Sequence, residues 1–155
     1  MGLQERLKLA TRIGLDTPIF IYHMEANPVY LPITKLIFSS IAHGKQQAIT
    51  SVISLMEINV HPFRQGREDV ARKYETLLIN YPNLKICDIT REIVRQAARL
   101  RANYRLHSAD ALQVASCMVN GAQVFITNDR QITCLNQLID VLILDDLLSL
   151  DWIDR

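Results

Sequence analysis

Four acidic residues occupy positions where carboxylates could hold a metal ion. Asp16 directly follows the apolar run RIGL, and Asp129 comes two residues after the run VFIT. Asp110 lies in HSADAL, in the first turn of a predicted helix, and Glu57 lies within the largely apolar stretch SVISLMEINV. Carboxylates without His or Cys partners suit a hard cation, Mg²⁺ or Mn²⁺, rather than Zn²⁺. The four acids therefore predict a magnesium or manganese site if the fold brings them together.

Each acid also has a purely structural interpretation. Asp16 and Asp129 could cap helices, Asp110 could complement a helix dipole, and Glu57 could be a surface acid. Their joint placement favours the metal hypothesis. Asp16 and Asp129 both follow predicted parallel strands, and ligands bind at that edge of open α/β sheets. Four independent caps need not share one edge.

The elements that must position these acids form an alternating pattern. Short apolar runs alternate with longer helical patterns, which indicates an α/β fold with a parallel sheet flanked by helices. The predicted strands are 12–15, 47–50, 84–87, 124–127 and 141–144. The predicted helices are 18–25, 33–43, 52–61, 67–80, 91–104 and 109–120, with a short helix after Asp129 and a last helical turn at 145–150. Ser51, Thr90 and Ser108 are predicted as helix caps, and Pro62 is predicted to end the third helix.

Length and composition indicate one domain, 1–155, with its core at about 12–148. At 155 residues and 49% apolar, the chain can bury a sizeable core. A net charge of +1 excludes a protein that binds nucleic acid by charge alone. However, residues 61–105 hold ten lysines and arginines against five acidic residues, so a basic flank is available to an anionic partner.

Several other classes are excluded. Lys35, Asp140 and Asp145 interrupt the longest apolar stretches before they reach the roughly 18 residues of a membrane span. The first residues are charged where a signal peptide is apolar, so we expect a cytoplasmic protein. The three cysteines form no C-x-x-C pair and are expected to be buried. The absence of H-E-x-x-H, G-x-S-x-G and glycine-rich phosphate loops removes zinc protease, serine hydrolase and nucleotide-binding interpretations.

Three segments together resemble the PIN domain, and within it the VapC-type toxins of bacterial toxin–antitoxin operons. These segments are LDTPIFIYHMEANPVY, TSVISLMEINV and RLHSADALQVASCMVNGAQVFITNDRQI, in that order. The resemblance covers residues from about 12 to 148. It implies a PIN-like three-layer fold with a five-stranded parallel sheet, and a metal-dependent ribonuclease. It also implies a cognate antitoxin. The small-residue and aliphatic surface near the first helices favours a homodimer.

The resemblance also implies roles for individual residues. Asp16, Glu57, Asp110 and Asp129 match the four acids of the family, with Asp16, Asp110 and Asp129 facing the metal and Glu57 either a ligand or the group that orients the attacking water. The matching polar neighbours are Thr17, Thr127 and Asn128. RNA phosphates would contact Arg64, Arg67 and Arg130. HSAD departs from relatives that carry a proline before the third acid.

Two alternatives belong to other functional classes. The first is a catalytically silent PIN-like module that binds RNA or a protein; the presence of all four acids counts against it. The second is a receiver domain of a signalling relay, which requires paired acids after the first strand and a lysine after the last. Because the sequence after the fifth strand is LILDD, the chain lacks that lysine.

Overall fold

The computed structural model describes residues 2–148. The strands are β1 Arg12–Leu15, β2 Gln47–Ser51, β3 Leu84–Cys87, β4 Val124–Thr127 and β5 Asp140–Ile143. The helices are α1 Leu3–Leu9, α2 Thr17–Met24, α3 Leu31–Ala42, α4 Val52–Arg64, α5 Glu68–Ile79, α6 Arg91–Asn103, α7 Ser108–Val119 and α8 Leu144–Leu148. A 3-10 helix, Arg130–Leu135, follows β4. Strands and helices thus alternate along the chain.

The five strands form one parallel sheet in the order β3-β2-β1-β4-β5. β1 lies in the centre, where Gly14 pairs with Ile49 of β2 on one side and with Phe125 of β4 on the other. The chain extends the sheet first from β1 to β3 and then, on the other side of β1, to β4 and β5. The direction of winding therefore reverses between β1 and β4, and open α/β sheets bind ligands at the carboxyl ends of such strands.

The sheet separates two hydrophobic clusters, which gives three layers. On one face, Ile13 and Leu15 of β1 pack with residues of α1 to α5. On the other face, Ile49 and Phe125 pack with residues of α6, α7 and the 3-10 helix. Gly14 also points to this second face, where a Cβ atom would lie 2.8 Å from the Cys117 sulfur. The missing side chain lets α7 pack closely on the central strand.

The predicted α/β fold with a five-stranded parallel sheet is confirmed, and so are two caps. Ser51 Oγ accepts a hydrogen bond from the backbone N–H of Ile53, and Thr90 Oγ1 accepts one from Ile93. Ser108 was wrongly predicted as a cap, because α7 begins at Ser108 itself and His107 precedes it. The fifth strand begins and ends one residue earlier than predicted. The short helix α1 was not predicted.

The prediction that the helix over 52–61 ends before Pro62 is wrong. α4 continues through Pro62 to Arg64, and Gly66, with φ of 66°, follows. Pro62 is buried, and its ring lines the same small cavity as Met24 and Tyr74. Burial of the ring on the protein interior offsets the loss of one helical hydrogen bond. The helix therefore runs one turn further than sequence rules suggest.

Three further expectations are corrected or fall outside the described residues. The helical pattern over 67–80 predicts a buried face of Val70, Tyr74, Leu77 and Leu78. Leu77 is 51% exposed, however, and α5 buries Ala71 and Leu78. Cys134 is exposed, whereas Cys87 and Cys117 are buried as expected. The predicted last turn corresponds to α8 up to Leu148, and its residues 149 and 150 lie outside the described part. No helix within residues 2–148 has the length and apolar content required to cross a membrane.

Candidate active site

Asp16 is held rigidly at the carboxyl end of the central strand. It is 6% exposed and is the residue immediately before α2. Its Oδ1 accepts a hydrogen bond of 2.9 Å from the backbone N–H of Thr17, and its Oδ2 accepts one of 2.7 Å from the Thr127 hydroxyl. Because each oxygen has one donor, the carboxylate has a fixed orientation and keeps lone pairs for a further partner.

Glu57 reaches the same edge of the sheet from α4. The Thr17 hydroxyl donates a hydrogen bond of 2.7 Å to Glu57 Oε1. Thr17 is itself buried, whereas Glu57 is half-buried. One threonine therefore links two acids: its backbone N–H holds Asp16 and its side chain holds Glu57.

Asp129 and Asp110 complete the acidic edge. Asp129 Oδ1 accepts a hydrogen bond of 2.9 Å from the N–H of Gln131, and so caps the 3-10 helix, while the Asp129 N–H donates to the Thr127 hydroxyl. Asp110 lies in the first turn of α7 and is half-buried. The capping interpretation of Asp16 and Asp129 is thus correct, and both residues also lie at the sheet edge where ligands bind.

Burial and mutual repulsion favour the protonated form of two of these acids. Burial raises the pKa of Asp16 to about 6, against the lowering effect of the hydrogen bonds from Thr127 and Thr17, and the charges of Asp110 and Glu57 raise it further. Burial also raises the pKa of Asp110, with contributions from the charges of Asp129 and Glu57, while His107 acts to lower it. The charges of Glu57 and Asp129 therefore lie close enough to raise the pKa of Asp16 or of Asp110.

The side chains of the four acids do not form a ready set of ligands around one ion. Within residues 2–148, no three acidic, histidine or cysteine side chains surround a common point at which an ion could bind. One oxygen of Asp16 accepts from the Thr127 hydroxyl, and one oxygen of Glu57 accepts from the Thr17 hydroxyl. Nevertheless, the donor set consists of carboxylates, which fits a hard divalent cation.

Asn128 lies on the polypeptide between Thr127 and Asp129, but its side chain is engaged elsewhere. Its amide nitrogen donates to the Tyr30 and Tyr22 hydroxyls at 3.1 and 3.4 Å, and its oxygen accepts from the N–H of Asp145. The two tyrosine rings stack with their centroids 4.1 Å apart. Asn128 thus ties β4 to α2 and to the start of α8.

The three predicted RNA-contacting arginines differ in their surroundings. Arg67 forms two hydrogen bonds with Asp69, and Arg130 forms an ion pair with Asp146. Arg64 is exposed at the end of α4, and no ion pair with an acid of the described chain involves it. Of the three, Arg64 is the guanidinium whose charge is most available to a phosphate.

A buried amide that was not predicted from the sequence lies next to the acids. Gln113 of α7 is 1% exposed and contacts Ser51, Ser54 and Thr17. A signal was present: Gln113 follows Asp110 by one helical turn and interrupts an apolar run, and Ser54 precedes Glu57 by one turn. A polar residue on the buried face of a helix requires a partner, which would have directed attention to these positions.

Comparison with solved structures identifies the same fold in three toxin–antitoxin assemblies. VapBC2 from Rickettsia felis, bound to a promoter DNA fragment, aligns with a TM-score of 0.67 at 16% identity, covering 85% of this chain and 98% of that chain. A toxin–antitoxin complex from Klebsiella pneumoniae aligns at 0.61 and 19% identity, over 85% and 97%. VapBC-5 from Mycobacterium tuberculosis aligns at 0.54 and 20% identity, over 86% and 97%. At these identities the likeness shows a shared fold.

Sequence comparison agrees with the fold. No curated protein matches the sequence. The model of the PIN domain family, in contrast, matches residues 13–136, a span that begins in β1 and ends just past the 3-10 helix. The matched segment includes all four acids and every strand except β5. The chain belongs to the PIN domain family.

Proposed function

We propose that the chain is a divalent-metal-dependent ribonuclease and the toxin of a toxin–antitoxin pair. The observation that carries the proposal is the meeting of Asp16, Glu57, Asp110 and Asp129 at the carboxyl edge of the sheet, where the neighbouring acidic charges raise the pKa of Asp16 and of Asp110. Carboxylates this close are destabilised without a cation. The family and its structural neighbours support the nuclease and toxin assignments.

In this proposal three acids hold the ion and one orients water. Asp16, Asp110 and Asp129 would bind Mg²⁺ or Mn²⁺, directly or through water. The ion would supply charge neutralisation at the phosphate and an activated water. The chain's own contribution is orientation, because Thr127 and Thr17 fix Asp16, and Thr17 also holds Glu57 where it can accept a proton from the attacking water.

RNA is the substrate that the proposal requires, and Arg64 is its best-placed contact outside the acidic edge. Arg64 ends α4, the helix that carries Glu57, and it is exposed. Arg67 and Arg130 would have to exchange Asp69 and Asp146 for a phosphate, so their contribution to affinity should be smaller.

Apolar surface on the helices supports the protein partners included in the proposal. A cavity of about 220 Å³ between α2, α3 and α5 is lined by Phe20, His23, Phe38 and Leu77, among others, and suits an apolar segment of an antitoxin. On α4, the exposed side chains Met56, Val60 and Phe63 follow one another at helical spacing. Such a stripe suits a second copy of the chain in a homodimer.

Cleavage with and without metal tests the enzymatic part. The purified protein, incubated with a mixed pool of RNA, should produce discrete fragments in Mn²⁺ or Mg²⁺ and none in EDTA. A catalytically silent module would leave the RNA intact in both conditions while binding it equally well in both. Intact RNA in Mn²⁺, with binding that EDTA does not change, would replace the nuclease by that second function.

Induction in a bacterial host tests the toxin assignment. The wild-type chain should slow growth when it is expressed alone. Asp129→Asn should not, because asparagine preserves the cap of the 3-10 helix but removes one charge of the site. Co-expression of the neighbouring operon gene should restore growth in the wild-type strain. Equal growth of the wild-type and Asp129→Asn strains would contradict the toxin role and leave the RNA assay to decide the nuclease activity.

A further inference from the structure

A chain of buried hydrogen bonds connects Gln113 to the acidic edge. Gln113 Nε2 lies 2.5 Å from Ser54 Oγ and 3.3 Å from Thr17 Oγ1, and its Oε1 lies 2.5 Å from Ser51 Oγ. Ser54 Oγ lies 2.7 Å from the hydroxyl of Thr50. Gln113, Ser54, Thr50, Ser51 and Thr17 are each at most 3% exposed, so water is not available to satisfy these groups.

The direction of each hydroxyl proton in this series of hydrogen bonds follows from counting donors and acceptors. Thr50 donates its single hydroxyl proton to the Leu15 carbonyl, so in its contact with Ser54 it must accept. The Ser54 proton is therefore directed to Thr50, and Ser54 accepts from Gln113. The Thr17 proton is directed to Glu57, so Thr17 also accepts from Gln113.

The reverse orientation of the Gln113 amide does not satisfy these groups. With Oε1 facing Ser54 and Thr17, both hydroxyls would be drawn to donate to it. Ser54 would then lose its proton from the Thr50 contact, and Glu57 would compete with the amide for the Thr17 proton. The Ser51 hydroxyl already accepts from the N–H of Ile53, so its proton needs the Gln113 oxygen as acceptor. A single amide orientation leaves every group paired.

We propose that Gln113 is a positioning residue that reserves the Thr17 hydroxyl proton for Glu57. Its Nε2 group donates to both hydroxyls that lie between α7 and the acids. Ser54 lies 3.1 Å from Thr17, and because one of its lone pairs accepts from Gln113, it competes less with Glu57 for that proton. Within the described residues Thr17 is the donor to Glu57, so this bond sets where the carboxylate lies.

The inference deepens the proposed function, and its catalytic consequence depends on that function. If Glu57 orients the attacking water, loss of its hydrogen bond lowers the rate of the chemical step and leaves RNA affinity unchanged. Asp16 and Asp129 contact other donors, so the response to metal should also be preserved. An effect confined to kcat is the expected signature of Gln113.

Three substitutions separate positioning from packing. Gln113→Glu preserves shape but places an oxygen where Nε2 donates, Gln113→Met removes both polar ends, and Thr17→Val removes the hydroxyl itself. We expect each to lower kcat by about tenfold, with KM for RNA and the Mn²⁺-induced rise in melting temperature unchanged. A packing role predicts instead that Gln113→Met, whose side chain fills nearly the same volume, retains nearly the wild-type kcat.

A double variant shows whether Gln113 acts through Thr17. If it does, Gln113→Met combined with Thr17→Val should cut no more slowly than Thr17→Val alone, whereas independent effects would multiply to about a hundredfold. Rates must be compared below the lowest melting temperature of the set.

Ser116→Ala is the matched control. Ser116 is also buried on α7, but its hydroxyl donates to the Leu112 carbonyl within the helix, so this variant should retain the wild-type kcat.

A second measurement does not depend on catalysis. In a crystal structure of Gln113→Glu, the contact between Thr17 Oγ1 and Glu57 Oε1, 2.7 Å in the wild type, should be lost, with Thr17 directed to residue 113. Retention of that contact, or a multiplicative loss of kcat in the double variant, overturns the inference. Absence of RNA cleavage by the wild type would reject the proposed function, and this contact would still decide the role of Gln113.

Discussion

Replacing Asp16 with asparagine is expected to abolish RNA cleavage and to raise the stability of the metal-free protein. Burial raises the pKa of Asp16 from 3.8 to about 6. At neutral pH Asp16 is therefore charged, although the folded environment favours its protonated form. At about 1.4 kcal/mol per pKa unit, this costs about 3 kcal/mol of unfolding free energy. Asparagine has nearly the same shape and carries no charge.

The pH dependence has a definite sign. Because the folded pKa lies above the unfolded value, the stability from protonating Asp16 is fully present below about pH 4 and is lost as the pH rises through about 6. The metal-free wild type should therefore lose stability between these pH values relative to Asp16→Asn. Urea titrations in EDTA at pH 5, 6, 7 and 8 measure the difference, which should grow with pH and then level off.

Metal should remove most of the stability difference between the wild type and Asp16→Asn. A divalent ion that binds the folded wild type stabilises it by about 2.7 kcal/mol at about a hundred times Kd. Asp16→Asn should lose most of this, whereas Asp88→Asn, an exposed acid after β3, should keep it. Thermal melts of the three proteins with EDTA and with Mn²⁺ give the comparison. An Mn²⁺ shift in Asp16→Asn as large as in wild type would remove Asp16 from the metal site.

Gly14→Ala is expected to give a large loss of stability. The new Cβ would lie 2.8 Å from the Cys117 sulfur, 2.9 Å from the Cys117 Cβ and 3.0 Å from a ring carbon of Phe125. Cys117 belongs to α7 and Phe125 to the adjacent strand β4, and both are fully buried on the same face of the sheet, so neither can move aside freely. Overpacking of this kind costs about 3 kcal/mol. Urea unfolding of both proteins in EDTA measures the loss.

A cycle with Cys117 tests the cause of that loss. Cys117→Ala removes the nearest atom, the sulfur, but leaves the Cβ in place. In the Gly14→Ala background it should therefore recover part of the lost stability, whereas in the wild type it should lower stability by leaving a small cavity. Equal effects of Cys117→Ala in the two backgrounds would show that the helix and the strand do not clash. Because Asp16 lies two residues beyond Gly14, we also expect reduced cleavage.

Much of the fold was predictable because local signals agree with tertiary burial. The runs RIGL, QAIT, LKIC and VFIT correspond to the first four observed strands, and the two hydroxyl caps at Ser51 and Thr90 form the expected bonds. Pro62 shows the limit. Its local preference to end a helix is outweighed by burial of its ring, and that burial depends on α2 and α5, which a local sequence pattern does not reveal.

The residue types of the acidic edge could be predicted from the sequence, but their hydrogen-bond partners could not. Strand ends and one apolar helix indicate Asp16, Asp129 and Glu57 from sequence alone. The sequence does not reveal that Thr17 serves two acids, or that Asn128 turns away to the tyrosines. Such details depend on distances between elements remote in the chain: Gln113 and Thr17 are 96 residues apart.

During translation the acidic site can form only late. β1 and Asp16 emerge from the ribosome first, but β4 is one of the two strands that flank β1, and the hydroxyl that holds Asp16 Oδ2 belongs to Thr127. A nascent chain that ends between β3 and α7 contains Asp16 and Glu57, without the other two acids, and leaves one edge of β1 unpaired. Truncated products of stalled synthesis would therefore lack the assembled site, and under the proposed function only chains that extend past Asp129 would cut RNA.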